Sequence, residues 1–282
     1  MSTAVGSRLP PGAPAPASVL RITPSALLGT RRAAHMVERN VYVYRRGWVI
    51  LLSGFCEPFF YLLSIGVGLA TLVGALRVGP HEVVGYTTFV APGLLASSAM
   101  NGALFDATFN LFHKLKFSHT YESVLSTPLT VADVATGELG WSMLRAGLYS
   151  ASFLCIMTGL GYTATAWALW CYPGALLIAF AFGAVGMAAT TYMRSWQDFD
   201  FVSLAILPMF LFSATFYPLT VYPGWLQVVV ECTPLYQGVA LLRGADLGIF
   251  EWALLGHAAY LAAMGAVGLV VTGRRLSTLL LP

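Results

Sequence analysis

Long apolar runs alternate with short polar segments along this chain, and the alternation predicts a bundle of membrane-spanning helices. A helix rises about 1.5 Å per residue, so about 20 apolar residues cross a hydrocarbon core of roughly 30 Å. Six runs reach that length and predict an all-α polytopic membrane protein with six transmembrane helices. The predicted spans cover residues 47–73, 86–109, 136–160, 166–193, 201–221 and 251–272.

A semi-apolar segment, residues 223–248, separates the last two predicted spans. It contains Trp225 and a run of valines, but Pro234 and charged residues interrupt it. An interrupted run of this kind does not cross the hydrocarbon as one helix. We interpret the segment as two short helices that form a re-entrant hairpin in the outer leaflet. A seventh span is the alternative interpretation.

The chain begins with two polar regions. Residues 1–24 are rich in alanine and proline and are predicted to form a disordered tail. In residues 25–46, apolar side chains recur at spacings of three, four and seven, and the arginines lie off that stripe. This pattern predicts an amphipathic interfacial helix whose arginines face lipid headgroups. A helix that binds a soluble partner is the alternative.

A second amphipathic helix is predicted between the second and third spans, at about residues 117–127. Its apolar positions are Phe117, Tyr121, Val124 and Leu125, followed by Leu129, and its polar positions are His119, Glu122, Ser123, Ser126 and Thr127. Pro128 stops the helix, and a new one starts near Val131. From spacing alone, the helix either docks into a partner's groove or simply connects two spans at the interface.

Composition excludes a soluble domain. The chain is 57% hydrophobic and only 10% charged, whereas soluble domains average about 25% charged residues. Basic residues concentrate in the N-terminal segment, the second-to-third and fourth-to-fifth loops, and the C-terminus; the other side has only Arg77 and Arg243. The asymmetry predicts a multi-pass protein of the cytoplasmic membrane with both termini in the cytoplasm.

Three ionisable residues fall inside predicted spans. Glu57 lies near the middle of the first, Asp106 near the cytoplasmic end of the second, and Arg145 well inside the third. Because an isolated charge in the bilayer is costly, we expect Arg145 to pair with Glu57 or with Asp106. The pair either lines a path for a substrate or clamps two helices together.

Motifs for catalysis and for nucleotide binding are absent from the sequence. It contains no GxxxxGK[ST], no HExxH and no GxSxG, and its four cysteines lack metal-ligand spacing. We therefore predict no catalytic residue, no metal site and no cofactor bound by this chain. An intramembrane enzyme would have to work with Glu57, Asp106 and Arg145, and an accessory membrane subunit is a further alternative.

Aromatic residues near the outer end of the fifth span are interpreted as an interface belt or, secondarily, as a platform for sugar or lipid.

Four stretches resemble the permeases of the ABC-2 transporter family, and most closely its nodulation-protein-J branch. They are RRGWVILLSGFCEPFFYLLSIGVGLA, AMNGALFDATFNLF, YESVLSTPLTVADVATGELGWSMLRA and LPMFLFSATFYPLTVYPGWLQVVVECTPLYQGVALLRG. Their order and spacing across the predicted spans carry the resemblance. The second stretch has Asp106 where glutamate is common in relatives.

The resemblance implies a transport subunit rather than an enzyme. A separate ABC ATPase, in two copies per complex, would bind ATP and Mg²⁺, and a second permease chain would complete the pathway as a homodimer or heterodimer. We expect membrane lipid to surround the chain, and we expect no nucleic acid as a partner. The cargo would be an amphipathic glycolipid, lipo-oligosaccharide or polysaccharide, with drug or antibiotic efflux as the alternative.

The resemblance also assigns roles to individual residues. The helix at residues 117–127 corresponds to the coupling helix that contacts the ATPase, and it favours docking over a plain connector. The expected ATPase contacts are Phe117, Tyr121, Glu122, Val124 and Leu125. The segment after the fifth span corresponds to an extracellular gate, whose expected residues are Phe216, Tyr217, Trp225, Pro234 and Tyr236.

Overall fold

The computed structural model describes residues 34–42, 56, 59–77, 83–118 and 120–280, and most of them are helical. The helices are α1 (34–42), α2 (Phe59–Val73), α3 (Tyr86–Lys116), α4 (Thr120–Leu125), α5 (Val131–Gly159), α6 (Ala166–Thr190), α7 (Phe199–Leu211), α8 (Gly224–Cys232), α9 (Pro234–Leu247) and α10 (Trp252–Leu280). The predicted tail, most of the interfacial helix, the start of the first span and Glu57 lie outside the described residues.

Two short β-strands follow α2, and they are an addition to the predicted all-α architecture. Strand β1 (Ala75–Arg77) pairs antiparallel with β2 (Val83–Gly85), and Leu76 lies opposite Val84. Gly74 ends α2 with a φ of 75°, a conformation that residues with a side chain rarely adopt. The chain can therefore reverse at this point instead of running directly into α3.

Three helices in the described part of the chain are long and apolar enough to cross a membrane, namely α3, α6 and α10. Two of them exceed their predicted bounds, since α3 continues to Lys116 and α10 to Leu280. Helix α5 is also long, at 29 residues, but it carries charged side chains. The protein is thus a largely helical chain with several apolar helices, and the full set of six spans stays a prediction.

Helix α7 is much shorter than the predicted fifth span, residues 201–221. It has 13 residues and ends at Leu211, which gives a length of about 20 Å at 1.5 Å per residue. Ser213, Ala214 and Thr215 then form a buried turn in which Ala214 has a φ of 54°. The turn packs closely on α3, where a Cβ on Gly93 would lie 2.9 Å from Thr215 Cγ2.

Helix α6 lies at the centre of the bundle and packs against α3, α5, α9 and α10. Small residues allow the closest approach: a Cβ on Gly268 of α10 would lie 2.8 Å from the backbone of Ala184 in α6. The largest buried apolar cluster joins α3, α5, α6 and α9. A second cluster near the ends of α3 and α5 includes residues of α1 and α4, and this second cluster positions the candidate site.

Candidate functional site

Helix α4 is the segment with the predicted docking function, and the ring of its Tyr121 points into the protein. Tyr121 is 1% exposed and packs with Met36 of α1, Leu111 of α3 and Val134 of α5. This burial corrects the expectation that Tyr121 contacts a partner, because an enclosed ring offers no surface. The apolar stripe of α4 is instead covered by the protein's own helices.

The other expected docking residues differ in their exposure. Val124 and Leu125 are half-buried against the same apolar cluster. Phe117 precedes α4, is 55% exposed and stacks on Trp196 with 5.6 Å between ring centroids. The side chain of Glu122 lies outside the described part of the structure. Ser123, Ser126 and Thr127 are exposed polar positions of this region.

A buried carboxylate, Glu138 of α5, joins three helices next to α4. Lys114 Nζ, near the end of α3, donates to the two Glu138 carboxylate oxygens at 2.9 and 2.7 Å. From α1, Asn40 Nδ2 donates to Glu138 Oε2 at 3.4 Å, and Arg39 Nη2 lies 3.5 Å from Oε1. Lys114 Nζ also donates to Asn40 Oδ1 at 3.1 Å. We call these four residues the Glu138 cluster; it ties α1, α3 and α5 together through one carboxylate.

Tyr121 lies near the Glu138 cluster. Burial raises the pKa of Tyr121 well above its ordinary value, and the nearby Glu138 carboxylate raises this pKa further. Glu138 was not predicted as a site residue from the sequence, although a signal was present. The residue is a carboxylate at the start of a predicted span. Lys114 and the arginines of residues 25–46 are predicted to lie on the same side of the membrane as that end of the span.

The charged residues predicted inside the spans include a pair in close contact. Arg145 Nη1 of α5 donates to Asp106 Oδ1 of α3 at 2.6 Å. Ser142 Oγ donates to the other Asp106 oxygen at 3.0 Å, and Arg145 Nε donates to the Tyr149 hydroxyl at 3.0 Å. Asp106 begins a five-residue π-helical stretch of α3, a distortion that is frequent at functional sites. The sequence left Glu57 and Asp106 open as partners of Arg145, and the structure brings Asp106 into contact with Arg145. Glu57 lies outside the described residues.

A cavity of about 440 Å³ lies where α2, α3 and α7 meet. Its lining is mostly apolar and aromatic, with Tyr61, Phe105 and Phe210 among the walls; the polar lining residues are Ser97, Ser98, Asn101 and Ser203. Asn101 Oδ1 is buried and forms no hydrogen bond with the described residues. A buried carbonyl oxygen without a partner is costly, so the cavity suits a guest that carries hydrogen-bond donors. This polar set was not predicted from the sequence, although its hydrophilic residues recur at helical spacing within an apolar run.

Residues 32–247 match the ABC-2 type transporter family. The chain belongs to this family. It is 32% identical to nodulation protein J of Rhizobium leguminosarum bv. trifolii over 213 residues, which cover 75% of this chain and 79% of that protein. It is 30% identical to nodulation protein J of Rhizobium meliloti, again over 75% of this chain and 79% of that protein. The inner membrane transport permease YadH of Escherichia coli is 23% identical over 75% of this chain and 81% of that protein.

The predicted gate residues of this ABC-2 permease lie on two helices and the turn before them. Phe216 contacts the ring of Phe210 edge-on at 5.4 Å, and Tyr217 lies 5.1 Å from the ring of Tyr222. Trp225 of α8 is exposed. Two further gate residues are on α9, where Pro234 is the first residue and Tyr236 approaches the imidazole of His257.

Arg243 of α9 holds the turn after α7 in this permease. Arg243 Nη2 donates to the carbonyl of Ala214 at 2.9 Å, and its guanidinium lies 3.8 Å from the centre of the Phe89 ring in α3. The residue satisfies a backbone carbonyl of a buried turn and forms a cation–π contact at the same time. It therefore links α3, α9 and the end of α7 at the predicted outer side.

Asp246, near the end of α9 and outside the predicted spans, gives the permease a testable pH dependence. Both carboxylate oxygens accept from the Ala164 N–H, at 3.3 and 3.2 Å. Burial raises the pKa of Asp246 from 3.8 to about 6, although the hydrogen bond from Ala164 opposes the rise. A carboxyl whose pKa is higher in the folded state stabilises the fold at low pH, and this contribution is lost as pH rises through the folded pKa.

We therefore expect the melting temperature of the purified permease to fall between pH 5 and pH 7. In Asp246→Asn that fall should shrink, because asparagine keeps an acceptor for the Ala164 N–H and carries no charge. Thermal unfolding in detergent at several pH values measures both. An equal fall in the variant would assign the pH dependence to other groups.

Proposed function

We propose that this chain is the membrane-spanning subunit of an ATP-binding-cassette exporter. A separate ATPase, in two copies, hydrolyses Mg-ATP, and two permease chains form the path across the cytoplasmic membrane. The proposed cargo is an amphipathic glycolipid or lipo-oligosaccharide. Family membership and the likeness to proteins named nodulation protein J support this choice.

The observation that carries the proposal is the Glu138 cluster. Helix α4 has exposed positions, while its Tyr121 is packed against α1, α3 and α5. The sequence predicts that this region lies on the cytoplasmic side. A force applied to the exposed positions therefore acts on three helices at once, because one buried carboxylate connects them. Packed elements of this kind move as rigid bodies and transmit a push over a distance.

The cavity between α2, α3 and α7 suits the proposed cargo. Aromatic walls can stack on sugar rings and pack against acyl chains, and the Asn101 oxygen, which has no hydrogen-bond partner among the described residues, can accept from a hydroxyl or amide. Helices α2 and α7 also have many exposed apolar side chains, including Phe60, Leu72, Phe201 and Leu204. A second permease chain that packs on these helices would enclose the cavity.

Ser123→Arg tests the docking of α4. Ser123 is exposed, so the new side chain needs no space inside the protein but occupies the proposed ATPase contact. We expect the variant to lose most of the ATPase that copurifies with the wild-type permease from native membranes in mild detergent, with an unchanged melting temperature. Glu122→Ala tests the same helix by removing a charge.

Thr278→Arg is the matched control, because Thr278 is an exposed hydroxyl residue near the end of α10. It should keep the ATPase. Tyr121→Ala is a poor test, since it removes a buried ring and destabilises the fold. If Ser123→Arg and Glu122→Ala retain a full complement of ATPase, the docking assignment fails. If the wild-type chain copurifies with no P-loop ATPase, the proposed function itself fails.

A further inference from the structure

A second groove, distinct from the cavity at Asn101, runs between α6 and α7. Its volume is about 710 Å³. Its lining is largely apolar and comes from α3, α6, α7 and α10; it includes Leu104, Val185, Ala189, Phe201, Ala205 and Met264. Val185 and Phe201 are among the exposed apolar residues of the chain. The groove is therefore accessible from the side of the bundle, where the bilayer would lie.

One end of the groove carries positive charge. Arg194, in the loop between α6 and α7, lines it, and Tyr192 lies beside it. The Arg275 guanidinium of α10 lies 4.3 Å from the centre of the Tyr192 ring. Arg275 Nε is buried and forms no hydrogen bond with the described residues, so it has a donor available for an anion.

One carboxylate, Asp198, also lines this end. Asp198 Oδ2 accepts from the backbone N–H groups of Arg194 and Ser195 at 2.6 and 3.0 Å, and these hydrogen bonds lower the pKa of Asp198. The carboxylate is thus engaged with the loop backbone. Two guanidinium groups against one engaged carboxylate leave the mouth of the groove with a net positive charge.

We propose that this groove binds an anionic phospholipid. One acyl chain lies against α6 and α7, and the phosphate is held by Arg194 and Arg275. An apolar groove that opens to the bilayer is filled by lipid tails, and basic side chains at the level of the headgroups select anionic lipids. Both arginines belong to the predicted cytoplasmic side, where they would meet the inner leaflet.

The test compares lipid retention in the wild-type permease and in variants. The proteins are placed in nanodiscs with equal amounts of phosphatidylglycerol and phosphatidylcholine, and the lipids that stay bound are identified by native mass spectrometry. We expect the wild type to retain phosphatidylglycerol over phosphatidylcholine by about tenfold. R194Q combined with R275Q should retain the two lipids about equally. A205F, which adds a ring inside the groove from an exposed position, should retain neither.

R274Q is the matched control, since Arg274 precedes Arg275 on the same helix and is exposed. It should keep the tenfold preference. An equal loss of preference in R274Q and in the double variant would indicate attraction to general surface charge and overturn the proposal. Lipid retention by A205F would overturn it too, and the smaller A205L replaces A205F if the larger variant unfolds. Equal retention of the two lipids by the wild type also overturns it. Because both faces of a nanodisc contain the same lipids and no ATPase is present, these outcomes are independent of the proposed transport function.

Discussion

Glu138→Ala is expected to destabilise the permease strongly and to abolish coupling to the ATPase. The substitution leaves the Lys114 ammonium buried without its carboxylate partner and removes the polar contacts of Asn40 and Arg39 in α1 with α5. Breaking a buried pair by deleting one partner costs about 3–5 kcal/mol. We expect a large fall in melting temperature, and we expect little ATPase stimulation or transport from the remaining folded protein.

Glu138→Gln and Lys114→Met separate charge from packing. The amide of glutamine keeps an acceptor for Asn40 and Lys114 but has no charge, so Glu138→Gln should cost less than Glu138→Ala. The double variant combines Glu138→Gln with Lys114→Met and removes both charges of the pair. Neither charge is left without its partner, so the combined loss of stability should be clearly smaller than the sum of the two single losses. The measurement is thermal unfolding of the four proteins in one detergent. Additive losses would mean that the two side chains do not act as a pair.

The helical membrane class could be predicted from the sequence because the apolar runs are long and charges are rare. Start and stop signals were also readable: α5 begins at Val131, where the Thr130 hydroxyl accepts from the backbone N–H of Asp133 and the Asp133 carboxylate accepts from the backbone N–H of Thr130. The end of α7 was not readable in this way. Residues 212–221 are largely apolar but include Pro218. Tertiary contacts, among them Arg243 with Ala214 and Thr215 with α3, hold the turn that follows α7.

The candidate site was predictable only in part, for a related reason. Periodicity identified the apolar stripe of α4 but could not tell whether a partner or the protein itself covers it. The structure covers Tyr121 with α1, α3 and α5, so exposure rather than spacing identifies the surface available for docking. The Glu138 cluster joins residues as far apart in sequence as Asn40 and Glu138, and such a juxtaposition follows from the packing of helices, not from any local pattern.

Arg145→Gln is expected to destabilise the bundle because it leaves Asp106 without its main partner. The Asp106 side chain is only 1% exposed, and after the substitution its hydrogen bond from Ser142 would be the main remaining contact. A buried charge without compensation inside a span is strongly unfavourable, and the loss is expected to be about 3 kcal/mol or more. Asp106→Asn should also destabilise, because it leaves the Arg145 guanidinium facing an amide.

The double variant Asp106→Asn with Arg145→Gln is the decisive member of this series. It removes both charges, and the two amides can hydrogen-bond to each other, so its melting temperature should lie above that expected from the sum of the single losses. Tyr149→Phe is the control, because it removes the hydroxyl contact with Arg145 and keeps the ion pair; its effect should be small.

Glu57→Gln, measured alone and with Arg145→Gln, distinguishes the two possible partners of Arg145. Additivity in the Asp106 pair together with strong coupling in the Glu57 pair would assign Arg145 to Glu57. If the double variant regains stability but not transport in reconstituted vesicles, the pair serves the transport path as well as the packing of α3 on α5.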